Sequence, residues 1–259
     1  VAAAAGLVGL DRLSRARMDG SVVAALNNSI MTILPHLQAR NMKVDPLKDF
    51  VPLAGIANIP TFFAVPAASP IQTIADLVKR ARNPANRVTY ASGGVGSPQH
   101  LASEMFKAFA GVELTHIPFR GASQATLAVA SGEVDWAFGS AATVGALYRA
   151  KRVRLLAYAG PKRLAGFTDV PTVSETAGMG NFELKSWVAL YGPRGIPKNI
   201  VERIHAGVVG AQAEPDVKER FATVGFEGWT GTPAEIERTA QRDSDLFAET
   251  VKRAKISID

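Results

Sequence analysis

An α/β fold with helices layered on sheet is what this sequence predicts, and three observations predict it. Short apolar runs alternate with stretches of helical period along most of the chain. The composition is that of a folded protein: of 259 residues, 47% are hydrophobic and 20% charged. The 23 glycines and 15 prolines follow no period, which excludes collagen-like and low-complexity architectures, and the apolar content excludes disorder. The length suits one large domain or two of about 100–150 residues each.

The elements follow in order. Residues 2–17 read as an amphipathic helix, and Val22–Asn27 as a strand after the Asp19–Gly20 turn. Phe50–Ala57 and Thr61–Val65 are apolar extended segments, the second closed by Pro66. A helix is expected over Ile74–Arg82, a strand over Val88–Ala91 and a helix over Pro98–Ala110. Strands at Leu114–Ile117, Val134–Phe138 and Val153–Ala159 alternate with helices at Ser123–Ser131 and Ala142–Ala150. Trp187–Tyr191 is a late strand, followed by helices at Lys198–Ala213, Pro215–Val224 and Pro233–Ala254. If Thr61–Val65 and Trp187–Tyr191 are crossovers, residues 1–67 and 188–259 form one lobe and 68–187 the other. Two lobes joined by two strands make a hinged clamp, and a cleft between lobes is a usual place for a small ligand.

Composition removes several functions. With no cysteine there is no disulfide, thiolate metal site or cysteine nucleophile. The net charge of +6 is spread along the chain. Its richest patches, 79–82 and 149–154, read as last turns of helices, where cations suit the dipole, and no aromatic residues interleave them as a nucleic-acid surface requires. No nucleic-acid partner is expected. No run approaches the roughly 20 apolar residues of a bilayer span. The opening Val1–Leu10 lacks a basic start and meets Asp11 and Arg12 too soon to be a signal peptide as it stands.

The richest local signal is Tyr90-Ala91-Ser92-Gly93-Gly94-Val95-Gly96-Ser97-Pro98-Gln99-His100. A strand ends, glycines turn the backbone, Ser97 is placed to N-cap and Pro98 to occupy the first helical position. No acid follows until Glu104, so free N–H groups and an uncompensated helix dipole are expected to accept an anion. The alternative, a plain glycine-rich turn that binds nothing, stays open on these residues alone. A dinucleotide fingerprint fails because Gln99 stands where a third glycine is needed, and no Lys-Ser or Lys-Thr closes a phosphate loop. No nucleophile elbow, zinc-protease motif or calcium loop is present, and no metal or cofactor is expected. Among the histidines, His116 reads as a packed residue within a strand. His100, in the first helical turn, is either a helix-packing residue or a neutral ring that meets a ligand.

A series of segments then resembles one family in that family's order. They include Val44-Asp45-Pro46-Leu47-Lys48-Asp49-Phe50, Val88 to Ser97 with His100-Leu101-Ala102, and His116-Ile117-Pro118-Phe119-Arg120-Gly121. Asp169-Val170-Pro171-Thr172-Val173, Ser186-Trp187 and Pro193-Arg194-Gly195-Ile196-Pro197 continue it. The chain resembles the Bug receptors, the periplasmic solute-binding proteins of tripartite tricarboxylate transporters. The resemblance implies a two-lobed type II periplasmic-binding-protein fold and no enzyme activity. It implies a receptor that takes a dicarboxylate, tricarboxylate, acidic amino acid or aromatic acid and hands it to membrane permease subunits. A signal peptide in the precursor and a periplasmic location belong to the same expectation.

In that family, loop amides, small hydroxyls and water hold the carboxylates. Carried over, the expected ligand-binding residues are Ser92, Gly93, Gly96, Ser97 and His100, with Gly139 and Ser140 after Val134–Phe138 and Asn27, Asn28 and Ser29 on the facing lobe. Family members often have an acid where Gly139-Ser140 stands, which leaves the ligand open. Residues 1–17 resemble the stretch after the family's opening strand and Pro/Gly-rich loop, so the expected fold lacks that strand and loop. The rival classes are a ligand-sensing regulatory domain, which needs a DNA-binding or signalling segment, and an enzyme on a similar scaffold, which needs a catalytic constellation. The sequence supplies neither.

Overall fold

The computed structural model describes residues 7–176, 179–180 and 182–256. By its internal contacts the chain falls into two units, Val1–Asn58 with Ser186–Asp259, and Ile59–Lys185. The first division lies nine residues before the expected change at 67/68, because Thr61–Val65 belongs wholly to the second unit's sheet.

The first unit opens with α1 (Leu7–Ser14) and β1 (Ala24–Asn27). A π-helical turn, Ser29–Ile33, runs straight into α2 (Leu34–Leu37), and a 3-10 turn at Ala39–Asn41 leads to α3 (Pro46–Asp49) and β2 (Phe50–Ile59). The second unit contributes β3 (Thr61–Pro66), α4 (Ile74–Arg82), β4 (Thr89–Ser92), α5 (Pro98–Ala110), β5 (Thr115–Pro118), α6 (Ala122–Ser131), β6 (Trp136–Ser140), α7 (Ala141–Arg149) and β7 (Val153–Tyr158). The chain returns to the first unit through β8 (Ser186–Pro193), α8 (Lys198–Ala213), α9 (Pro215–Val224), β9 (Glu227–Gly228) and α10 (Pro233–Ala254). No helix among the described residues is long and apolar enough to cross a membrane.

In the second unit a five-stranded sheet runs β5-β4-β6-β3-β7. Strands β4, β5 and β6 are parallel neighbours, and β3 lies antiparallel between β6 and β7. Alternate residues of each strand face opposite ways. Phe63, Tyr90, Trp136 and Phe138 pack with α4 and α5 on one face, while Phe62, Ala91 and Ala137 pack with α6 and α7 on the other. Both faces being covered explains why these strands read as continuous apolar runs. The observed β4, β5 and β6 sit one or two residues later than the sequence suggests. At the start of β4 and the approach to β6 a side-chain lock holds the two strands: Asp135 Oδ2 accepts from the Thr89 amide at 2.7 Å and hydroxyl at 2.9 Å.

The first unit's sheet, β1-β8-β2-β9, carries one apolar cluster. Leu10 and Leu13 of α1, Trp187 and Tyr191 of β8, and Ile236 and Ala240 of α10 meet there. The basic stretch 149–154 is not one helix end. Arg149 closes α7, Lys151 turns at φ +54°, and Arg154 lies in β7, its guanidinium donating to the carbonyls of Ala67, Ser69 and Ile71.

Candidate functional site

The parallel strands β4, β5 and β6 each end in a junction that starts a helix, so three helix N-termini gather at one sheet edge. None of α5, α6 and α7 has an acid in its first turn. The carboxyl edge of parallel strands with uncompensated N-termini is a general place for anionic ligands.

The turn between β4 and α5 is built as the sequence indicates. Ser97 is the N-cap, its Oγ accepting from the His100 amide at 3.3 Å, and Pro98 is the first helical residue. Gly94 and Gly96 adopt φ of +121° and +75°, which only glycine holds without strain. Gly93 suits its place for a different reason, a close approach of its neighbours. A Cβ there would meet the Ala122 amide nitrogen and Gln99 Oε1 at 3.0 Å.

The amides of this turn are less free than the sequence suggests. Gly93 N–H donates to Gln99 Oε1 at 2.8 Å, Gly94 N–H to Ser92 Oγ at 3.1 Å, and Gly96 N–H to His100 Nδ1 at 3.0 Å. Ser97 N–H donates to the Gly94 carbonyl at 3.1 Å. Among the described residues, the Val95 and Gln99 amides are those of the turn without a partner. Val95 is also an exposed apolar side chain at the turn's tip. Gln99, the residue that breaks the dinucleotide pattern, is a clamp. Its Oε1 takes the Gly93 amide while its Nε2 donates to the Phe138 carbonyl at 3.0 Å, tying the β4–α5 turn to β6. Nothing in the local sequence announces that role, because Phe138 is 39 residues away.

His100 and His116 lie together behind the turn. Their rings stack with centroids 4.0 Å apart and planes 9° off parallel, and Tyr90 stacks on His116 at 4.9 Å. His116 Nε2 is 2.6 Å from Ser92 Oγ. Burial pulls His116 down to about 4, helped by His100 beside it. Burial likewise lowers His100, with Glu104 raising it and Lys107 lowering it. Both rings are therefore neutral at pH 7. Tyr90 Oη donates to Glu104 Oε1 at 2.7 Å, and Lys107 Nζ pairs with Glu104 Oε2 at 3.0 Å.

At the β6–α7 junction, Gly139 makes room for Val144, whose Cγ1 lies 2.2 Å from where a Cβ would stand. Ser140 precedes α7, and its Oγ lies 3.3 Å from Thr143 Oγ1. These two residues and the turn share the sheet edge through the Gln99 clamp. Asn27, Asn28 and Ser29 belong to the first unit, at the end of β1. There Asn27 Oδ1 accepts from the Ile30 amide at 3.0 Å, and the buried Asn28 passes its carbonyl to Thr32 Oγ1 at 2.6 Å. The π-helical turn that follows has no signal in the sequence pattern; such turns are rare and frequent at functional sites. Two open pockets of the first unit, of about 670 and 490 Å³, contain none of the expected residues. The described residues hold no group of three or more metal-ligating side chains.

A family model described as the tripartite tricarboxylate transporter family receptor matches residues 1–258. A protein encoded in the tcbD–tcbE intergenic region of Pseudomonas sp. strain P51 is 33% identical over 259 residues, all of this chain and 74% of its own length. Among solved structures, R. palustris Rpa4515 with adipate superposes with a TM-score of 0.84 at 27% identity, covering 97% of this chain and 84% of that one. MatC from Rhodopseudomonas palustris with bound malate has a TM-score of 0.80 at 24% identity, over 96% of this chain and 84% of its own, and shares the fold.

Proposed function

The chain belongs to the tripartite tricarboxylate transporter receptors, binding proteins rather than enzymes, and from that premise we propose that it captures a small carboxylate in the periplasm and passes it to membrane permease subunits. The carboxylate meets the turn Ser92–Ser97 at the start of α5. The observation that carries this reading is the sheet edge where three helices begin without an acid in their first turns and where the Val95 and Gln99 amides lack partners. An anion there gains backbone donors and the positive helix ends together. Ser140 adds a hydroxyl at the neighbouring junction, and Asn27, Asn28 and Ser29 are the first unit's candidate donors. The edge carries Gly139 and Ser140 rather than an acid, so nothing at that junction repels a second carboxylate. Adipate and malate in the related structures support an aliphatic dicarboxylate as the first class to try.

The test is a thermal-shift screen with adipate, malate, other small acids and their neutral amides. A ligand at 100 times its Kd adds roughly 2.7 kcal/mol of stability, which is visible as a raised Tm. The expected result is a shift with acids and none with amides. Ser97→Asp keeps an N-capping oxygen while adding a like charge, so it should abolish the shift and leave a cooperative melt. An undiminished shift in Ser97→Asp removes the turn from the site. A cooperative melt that no acid raises overturns the carboxylate reading.

A further inference from the structure

The turn described above is held from behind by two imidazoles that no ligand need touch. His100 is buried, 7% exposed, and its Nδ1 is committed as an acceptor to the Gly96 amide at 3.0 Å. An accepting Nδ1 carries no proton, so the neutral ring holds its proton on Nε2. His116 grips the same turn at its other end. Its Nε2 lies 2.6 Å from Ser92 Oγ, which also accepts from Gly94 N–H at 3.1 Å and faces the Gly94 carbonyl at 3.0 Å. Ser92 has one hydroxyl proton, and spending it on the Gly94 carbonyl leaves Oγ as acceptor for His116 Nε2–H. The pair thus fixes Ser92, Gly94 and Gly96, and with them the shape that leaves the Val95 and Gln99 amides without partners. Two rings whose centroids are 4.0 Å apart cannot both carry charge at modest cost.

Resting on the carboxylate reading of the turn, we propose that His100 and His116 are its positioning residues, and that protonating the stacked pair releases the turn and weakens ligand binding in acid. The chemistry is local. A proton on His100 Nδ1 sets two donors against each other where Gly96 N–H now has an acceptor. The charged groups bearing on the rings are Glu104 and Lys107 of α5, one favouring protonation and the other opposing it, and Tyr90 of β4 is neutral. Burial outweighs both charges and lowers each ring. The sign follows from linkage: the unfolded chain binds these protons first, so the device is fully held above the ordinary histidine value near 6.5 and is lost as pH falls toward about 4.

The first experiment needs no ligand. Long-range ¹H–¹⁵N spectra of the full chain, followed from about pH 7.5 to about pH 4.5, report ring tautomer and charge. His100 is expected as the Nε2–H tautomer, with the Gly96 amide shifting along the His100 titration. A protonated Nδ1 at neutral pH, or a Gly96 amide indifferent to that titration, overturns the proposal.

The second experiment measures adipate and malate affinity by calorimetry in His100→Asn and His100→Leu. Asn Oδ1 stands near the place of Nδ1 and accepts without titrating. His100→Asn should recover most of the affinity that His100→Leu loses. As pH falls from about 7.5 to about 4, where His116 takes its proton, the wild type should weaken progressively relative to His100→Asn, a ratio from which the ligand's own titration cancels. Equal pH profiles in the two proteins overturn the gating. If neither acid binds the wild type at any pH, the choice of ligand fails, and the spectra still decide the positioning role.

Discussion

The two units are held together in different ways. In Ile59–Lys185 the sheet has helices on both faces, and consecutive residues of one strand feed two separate cores, Phe62 into one and Phe63 into the other. Among the described residues the other unit gathers one apolar cluster, and no side chain of its helices α8 and α9 is fully buried. In a doubly covered sheet both faces of the central strands pack, as in β3, β4 and β6, so a junction at its edge inherits a rigid base. Helices that are only half-buried draw less from packing and more from propensity and their caps.

The largest effect expected from that contrast is a core truncation in the second unit. Phe63 is fully buried, with ring centroids 4.3 Å from Phe138, 4.8 Å from Phe106 and 5.5 Å from Trp136. Phe63→Ala should cost about 3–5 kcal/mol in urea unfolding, because it removes the ring and leaves a cavity among neighbours that cannot collapse. The matched change on α9, Phe221→Ala, takes away a half-buried ring and should cost about 1 kcal/mol. Equal losses in the two variants would break the comparison.

A smaller effect sharpens the account of the first unit, whose one core contains a polar anchor. Trp187 Nε1 donates to the buried Asp243 Oδ2 at 2.8 Å, tying β8 to α10, and the exposed Arg242 reaches the other oxygen. Asp243→Ala leaves an indole N–H buried without an acceptor, which costs about 1–3 kcal/mol. Asp243→Asn retains an acceptor oxygen and should recover much of it. An Asp243→Ala protein that unfolds like the wild type would mean that water replaces the carboxylate and that the anchor is incidental.

How far the sequence could be read follows the same divide between local and distant causes. Helices α4, α5, α8, α9 and α10 begin and end where the sequence places them. Their signals are all within a few residues: the Thr73–Asp76 and Thr232–Glu235 capping boxes, Ser97 before Pro98, and left-handed Gly111 and Gly225. The π-helical turn at Ser29–Ile33 and the two-residue β9 left no periodic trace, since the first is a single turn of five residues and the second exists only by pairing with Ala57 and Asn58. The candidate turn was legible in its glycines, its cap and its missing acids. The occupation of its amides was not, because Gln99 is steered by Phe138 and His116 by Ser92, contacts that the sequence separates by 39 and 24 residues.

The smallest prediction tests whether α8 leans on its surface charges in place of a buried face. Lys198 and Glu202 are four residues apart, with Nζ and Oε1 3.5 Å apart and side chains 91% and 64% exposed. Water screens such a pair strongly, and ordering two long side chains costs entropy that offsets the attraction. The order is also reversed from the favourable one, in which the acid precedes the base along the helix. Lys198 sits at the positive end of the helix dipole, where its own charge is unfavourable, so the acid's attraction there does little more than cancel it. Glu202→Gln should therefore change the unfolding free energy by less than about 0.5 kcal/mol, in low salt and in high salt alike. A loss well above that, abolished by salt, would show that this helix rests on charge, and the contrast between the units would then be one of charge against packing rather than of packing density.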